Sequence, residues 1–82
     1  MLGFYIEAGK RIRSIRLSRG YTRIHLAEMA SISSKFLYEI ENGKKGFSAI
    51  VLYKLCNALE VDCSYILTGK EKLQVRKADD EP

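Results

Sequence analysis

The sequence predicts an all-α domain built from five helices. Three observations support this prediction: a pattern typical of helix starts occurs four times, the chain has a single proline, and the apolar–polar alternation of strands is rare. The length of 82 residues and the hydrophobic content of 46% fit one small globular domain. We therefore expect one compact core formed by helices.

Each of the four helix starts combines an apolar residue, a capping residue with a side-chain oxygen, and a second apolar residue four positions after the cap. The oxygen accepts a hydrogen bond from an unpaired backbone N–H, and the two apolar residues pack together at the entry to the helix. The four sets are Tyr21, Thr22 and Leu26; Ile32, Ser33 and Leu37; Phe47, Ser48 and Leu52; and Val61, Asp62 and Ile66. One cap stabilises a helix by only about 1 kcal/mol. The prediction therefore depends on the recurrence of the pattern.

The first helix is predicted over residues 5–18. Tyr5, Ala8, Ile12 and Ile15 follow one another at spacings of three and four residues, which places them in one apolar stripe. Lys10, Arg11 and Arg13 fall largely outside this stripe. Gly20 is a suitable stop signal.

The other helices are predicted over residues 23–30, 34–42, 49–59 and 63–68, with a tight turn between the second and the third. In the third helix, an arc about 140° wide is polar apart from one tyrosine; it contains Ser34, Lys35, Tyr38, Glu39 and Asn42. The apolar side chains of the same helix, Phe36, Leu37 and Ile40, lie on the opposite side. We therefore expect one face of this helix to be buried and the other to be available for binding.

Charge is distributed unevenly along the chain. The formal net charge is +4 and the isoelectric point is about 9.2, which favours an anionic partner. Residues 1–20 carry five cationic side chains and one acidic side chain, whereas residues 70–82 carry four of each. We expect a folded domain over residues 1–69 and a charged, flexible tail over residues 70–82.

Several classes of protein are disfavoured. The chain has no signal-peptide pattern and no apolar run of about 18 residues, so we expect a cytoplasmic protein that does not contact membranes. Cys56 and Cys63 lack the partners of a zinc site and are expected to be thiols that fill space in the core. His25 has no neighbouring carboxylate or cysteine in a recurrent spacing, so we expect an exposed residue, no catalytic site, no metal and no cofactor.

Residues 9–67 resemble the helix-turn-helix transcriptional regulators of the phage repressor and Cro type, also called the xenobiotic-response-element class. The resemblance is carried by the apolar positions Leu26, Ala27, Ala30, Ile32, Leu37 and Ile40, and by the run from Ile40 to Lys44. It implies a lambda-repressor-like fold and a sequence-specific DNA-binding regulator that has no enzymatic activity. The implied function is repression through operator DNA, bound by a homodimer.

The resemblance also implies a role for individual residues. Ser34, Lys35, Tyr38 and Glu39 match positions that face bases in the major groove, and Arg23, Asn42, Lys44 and Lys45 match positions near phosphates. Arg16 and Glu41 match an ion pair between the first helix and the end of the third. The chain departs from the family pattern at Ser31 and Glu60, where glycine is usual, and at Glu39, whose negative charge would face DNA.

The partner surface is open to two interpretations. If the protein is a dimer, Tyr65, Ile66 and Leu67 in the fifth helix are the expected interface. The alternative is an interaction module of the same fold that binds a protein such as a toxin, an anti-repressor or polymerase. An antitoxin would combine both activities, and Glu39 favours this alternative.

Overall fold

The computed structural model describes residues 2–70 of the chain, and the regular secondary structure of this part is all helix. It contains α1 (Leu2–Ser18), α2 (Arg23–Met29), α3 (Ser34–Glu41), α4 (Ala49–Leu59) and α5 (Cys63–Thr68). The predicted all-α fold with five helices is confirmed. The proposed flexible tail lies outside the described residues, apart from Lys70. Across residues 2–70 no helix is both long and apolar enough to cross a membrane.

The four predicted helix caps are present. Thr22, Ser33 and Ser48 each accept a hydrogen bond from the backbone N–H three residues later, at 3.0, 3.0 and 3.2 Å. Asp62 accepts from the N–H of Ser64 at 2.8 Å. These bonds satisfy N–H groups that a helix start otherwise leaves unpaired.

The boundaries of α1, α2 and α3 differ from the prediction by one to three residues. α1 begins at Leu2 instead of residue 5, and its first turns contact distant residues, since the ring of Tyr5 lies edge-on to that of Phe47 with 5.1 Å between centroids. α2 and α3 end one residue earlier than predicted because Ala30 and Asn42 are their C-caps. α4 and α5 have the predicted bounds.

The core lies where all five helices meet. Its buried apolar residues are Ala8, Ile12, Leu26, Ala27, Ala30, Leu37, Ile40, Leu52, Leu55, Cys56, Leu59 and Ile66. Ala27 is buried in α2, the helix that precedes the tight turn to α3. The inner sides of α2 and α3 are thereby held against the rest of the domain.

Both expected departures from glycine occupy left-handed backbone. Ser31 in the turn between α2 and α3 and Glu60 at the end of α4 each have φ of 57°. A residue with a Cβ atom in this conformation costs roughly 1 kcal/mol or more relative to ordinary backbone. The backbone is therefore strained at these two turns, and a glycine at either position would relieve the strain.

The expectation that both cysteines are thiols is wrong in this structure. Cys56 of α4 and Cys63 of α5 form a disulfide, and their Cα atoms are 5.6 Å apart, within the range that a disulfide can span. The expectation followed from the redox compartment, whereas the short turn between α4 and α5 brings the two residues together. Cys56 is also buried among apolar residues, as expected.

Candidate nucleic-acid interface

The outward side of α3 is exposed, while its inner side is part of the core. Ser34, Lys35 and Tyr38 are exposed, and Leu37 and Ile40 are completely buried. The three exposed residues line a shallow, open cleft together with Arg23 and Ile24 of α2. The polar arc predicted from the sequence is therefore continuous with a surface of the preceding helix.

Tyr38 lines this cleft, and 43% of its surface is exposed. The Arg23 guanidinium carbon is 5.3 Å from the centroid of its ring, and the Lys44 Nζ atom is 5.6 Å from it. Both distances fall within the roughly 6 Å range of cation–π attraction. The ring therefore holds two cationic side chains close to the exposed arc of α3.

Residues that follow α3 present further polar groups to the same region. Asn42 caps the helix and donates from Nδ2 to the Tyr38 carbonyl oxygen at 2.9 Å. The Lys44 N–H donates to the Glu39 carbonyl at 2.8 Å, which fixes the backbone next to the helix end. Lys44 and Lys45 have exposed side chains.

Glu39 is less available than its position in the arc suggests. Only 18% of its side chain is exposed, and its Oε1 atom lies 3.6 Å from the Lys45 Nζ atom. Lys45 therefore offsets part of the negative charge that the sequence places on this face. The nearby positive charge lowers the electrostatic repulsion between Glu39 and an anionic partner.

Arg16, Glu41 and Arg23 form a charged network behind the exposed face. The Arg16 Nε and Nη2 atoms donate to the two Glu41 oxygens at 2.7 and 3.0 Å, which is a bidentate arrangement, and both side chains are buried. Arg16 also donates from Nη1 to the Tyr21 carbonyl at 3.0 Å. The network ties α1 to the end of α3.

Arg23 joins the same carboxylate, a contact that sequence reasoning missed. Its Nε atom donates to Glu41 Oε1 at 3.1 Å, while a third of its side chain remains exposed. Arg23 is the first residue of α2, and no short-range pattern links it to a residue 18 positions later. The network therefore aligns one arginine that the resemblance assigns to phosphate contact.

Ile24 is a second residue of this face that sequence reasoning missed. It is 63% exposed and lines the cleft with Lys35 and Tyr38. Helical periodicity contains the signal, because Ile24 lies two positions before the buried Leu26 and therefore about 200° around α2 from it. An apolar side chain in that position is available for contact.

The residues expected at a dimer interface differ in exposure. Ile66 is completely buried in the core, so its assignment to an interface is wrong: its side chain is already used in packing within the domain. Tyr65 is half-buried against the core, and Leu67 is 37% exposed. Of the three residues, Leu67 is the most available to a partner.

The sequence of the chain is similar to those of known helix-turn-helix proteins. A model of the helix-turn-helix domain matches residues 9–72. The chain is 36% identical over 69 residues to the transcriptional regulator ClgR of Mycobacterium tuberculosis, which covers 84% of this chain and 62% of that protein. It is 37% identical over 68 residues to the immunity repressor protein of Bacillus phage phi105, which covers 83% of this chain and 46% of that protein.

The fold of the chain is also similar to that of a solved structure. The crystal structure of the clp gene regulator ClgR from Corynebacterium glutamicum superposes with a TM-score of 0.76 and 33% identity, covering 82% of this chain and 69% of that one. The chain belongs to the helix-turn-helix domain family. Its relatives are named as transcriptional regulators and repressors rather than as enzymes, and members of this class bind DNA by placing the second helix of the unit in the major groove. The chain spans only 62% and 46% of the two curated relatives.

Proposed function

We propose that this protein is a cytoplasmic transcriptional regulator that binds operator DNA through α3. The single observation that carries the proposal is the exposed polar arc of α3, bordered by cations from α2 and from the segment after α3, on a helix whose other side is locked into the core. A helix held rigidly in this way can enter the major groove without losing the contacts that stabilise the domain.

The proposal divides the face into two functions. Ser34, Lys35 and Tyr38 meet base edges, and Glu39 completes this set as an acceptor for a cytosine amine once Lys45 has offset its charge. The phosphate contacts come from Arg23, Asn42, Lys44 and Lys45. Phosphate contacts set the position of the helix on the duplex, whereas base contacts supply the sequence preference.

The proposal includes a homodimer. One helix-turn-helix unit reads few base pairs, so useful specificity requires two half-sites about one helical turn apart, each bound by one copy of the domain. Leu67, with part of Tyr65, is the proposed contact on α5. No cofactor is required for this binding.

Binding to a duplex library at several salt concentrations tests the proposal. Selection from random duplexes should return a consensus with two related half-sites, and fluorescence anisotropy on that duplex should show affinity falling steeply with salt. Weak binding without a consensus, or affinity independent of salt, would contradict the proposal. Capture of a defined protein partner by a chain that fails to bind DNA would favour the interaction module instead.

A further inference from the structure

The five cationic side chains of residues 1–20, four on α1 and Arg19 just after it, divide into two groups with different surroundings. Arg11 donates from Nη1 to the Ile66 carbonyl oxygen at 2.9 Å, and Arg19 donates from Nε to the Leu59 carbonyl at 2.8 Å. Both carbonyls belong to the last turn of a helix, where backbone oxygens lack helical partners. Arg16 is bound to Glu41. Three of the five cations in residues 1–20 are therefore engaged in holding the fold.

The other two cations, Lys10 and Arg13, are exposed and face one cleft. Ile6, Lys10 and Arg13 are spaced by four and three residues, so they lie on one side of α1. All three line a cleft whose opposite wall includes Arg23, Tyr38 and Asn42. The cleft thus joins these two exposed cations of α1 to the residues proposed for phosphate contact.

The acidic groups near this cleft leave its cationic character intact. Glu41 is at its base, but the carboxylate is buried and bound by Arg16 and Arg23. Glu7 lies 3.6 Å from the Lys10 Nζ atom, and both side chains are largely exposed. Such an exposed pair contributes little and can be replaced by a phosphate. Within the described part of the chain, Arg13 has no hydrogen bond or ion pair.

We propose that Lys10 and Arg13 bind the phosphate backbone of DNA, so that α1 extends the contact made by Arg23 and Asn42. This inference rests on the proposed function and enlarges its site from the helix-turn-helix unit to the first helix. The ligand is a nucleic acid strand, because the two cations continue a row of donors along an open cleft. Each phosphate neutralised by a cationic side chain releases counterions and adds about 0.9 to the slope of log affinity against log salt.

The test compares three variants of the full chain: Arg13→Gln, Lys10→Gln and the control Lys54→Gln. Lys54 is also an exposed cation, but it lies on α4 and lines a different groove, with Tyr21 and Met29. Each variant removes one charge from an exposed position, so circular dichroism and thermal unfolding should match the parent. Affinity for the selected duplex is measured by anisotropy over a range of salt concentrations.

Arg13→Gln and Lys10→Gln should each lower the salt slope by about one unit, and the double variant by about two, while Lys54→Gln keeps the slope of the parent. An unchanged slope for Arg13→Gln, with normal binding by the parent, overturns this inference and leaves the proposed function intact. An equal loss of slope in Lys54→Gln also overturns it, because the effect would then reflect net charge. A parent that does not bind duplexes overturns both.

Discussion

At the scale of single residues, the two glutamates of α3 form ion pairs in different surroundings. The Glu41 carboxylate is fully buried and bound by two arginines from two different helices. Glu39 instead pairs with Lys45, whose side chain is mostly exposed to water. Loss of one partner from a buried pair leaves an uncompensated charge in the interior, whereas an exposed pair is screened by solvent. The two glutamates should therefore differ in their contribution to stability.

Replacement of Glu41 by alanine should lower the free energy of unfolding by roughly 3 to 5 kcal/mol, because Arg16 would remain buried without its carboxylate. Lys45→Ala, which breaks only the exposed pair, should change it by less than about 1 kcal/mol. Urea unfolding followed by circular dichroism measures both. Equal effects of the two substitutions would show that the buried network is not important for stability.

Lys35 and Lys44 provide a second comparison between single residues. Lys35 lies on the exposed arc of α3 and Lys44 follows the helix, beside Tyr38. Lys35→Ala should change the consensus selected from random duplexes and reduce affinity by roughly 1 to 3 kcal/mol at a guanine that the lysine contacts. Lys44→Ala should retain the consensus, weaken binding to all duplexes, and lower the salt slope by about one unit.

These two outcomes separate base reading from phosphate contact. An unchanged consensus for Lys35→Ala would remove this residue from the base-reading set. If Lys44→Ala kept the full salt slope, Lys44 would have no contact with phosphate.

At the scale of helices, the position of α3 is set by its direct approach to α1. A Cβ atom added to Gly9 would lie 2.1 Å from the Ile40 carbonyl oxygen, which is backbone and cannot rotate away. The two helices therefore pack closely only because residue 9 has no side chain. Since Ile40 is in the last turns of α3, this contact helps to set the angle at which the exposed arc is presented.

Gly9→Ala should force α1 and α3 apart and destabilise the domain by roughly 1 to 3 kcal/mol, as overpacking does elsewhere. Gly3→Ala is the matched control, because it lies on the same helix and an added Cβ would meet no atom within 4 Å. It should be neutral or stabilising by less than about 1 kcal/mol, since alanine favours a helix more than glycine does. Thermal unfolding of both variants checks the prediction, which fails if the two melt alike.

At the scale of the whole molecule, the burial of Ile66 narrows the surface available for dimerisation. Its side chain completes the core, so the proposed partner surface on α5 is reduced to Leu67 and the exposed part of Tyr65. Tyr65 packs partly against the core, and its substitution would change stability as well as association. Leu67 is therefore the better residue with which to test assembly.

Leu67→Glu should shift sedimentation toward monomer and reduce affinity for a duplex with two half-sites, because paired binding is lost. Leu17→Glu makes the same change at another exposed leucine, on α1, and should leave the dimer intact. A parent that is monomeric at every concentration would contradict the dimer. Dissociation caused by Leu17→Glu alone would move the interface to α1.

The sequence by itself determined the helices, the turns and the two sides of α3. Each depends on residues within about four positions: a serine or threonine caps its own helix, and helical periodicity separates Leu37 and Ile40 from Ser34 and Lys35. The resemblance identifies Ser31 as a position where glycine is usual, and its backbone is left-handed. Interactions of such short range change little with the arrangement of the rest of the chain.

Only the tertiary structure decided which charged residues are engaged in holding the fold. Residues 1–20 carry five similar cations, yet Arg11 and Arg19 bond to carbonyls 55 and 40 positions away, whereas Arg13 bonds to no group within residues 2–70. The contact of Arg23 with Glu41 and the pairing of Cys56 with Cys63 also depend on where the helices lie relative to one another. Long side chains reach whichever group the packing brings near them, and this packing is set by the core as a whole.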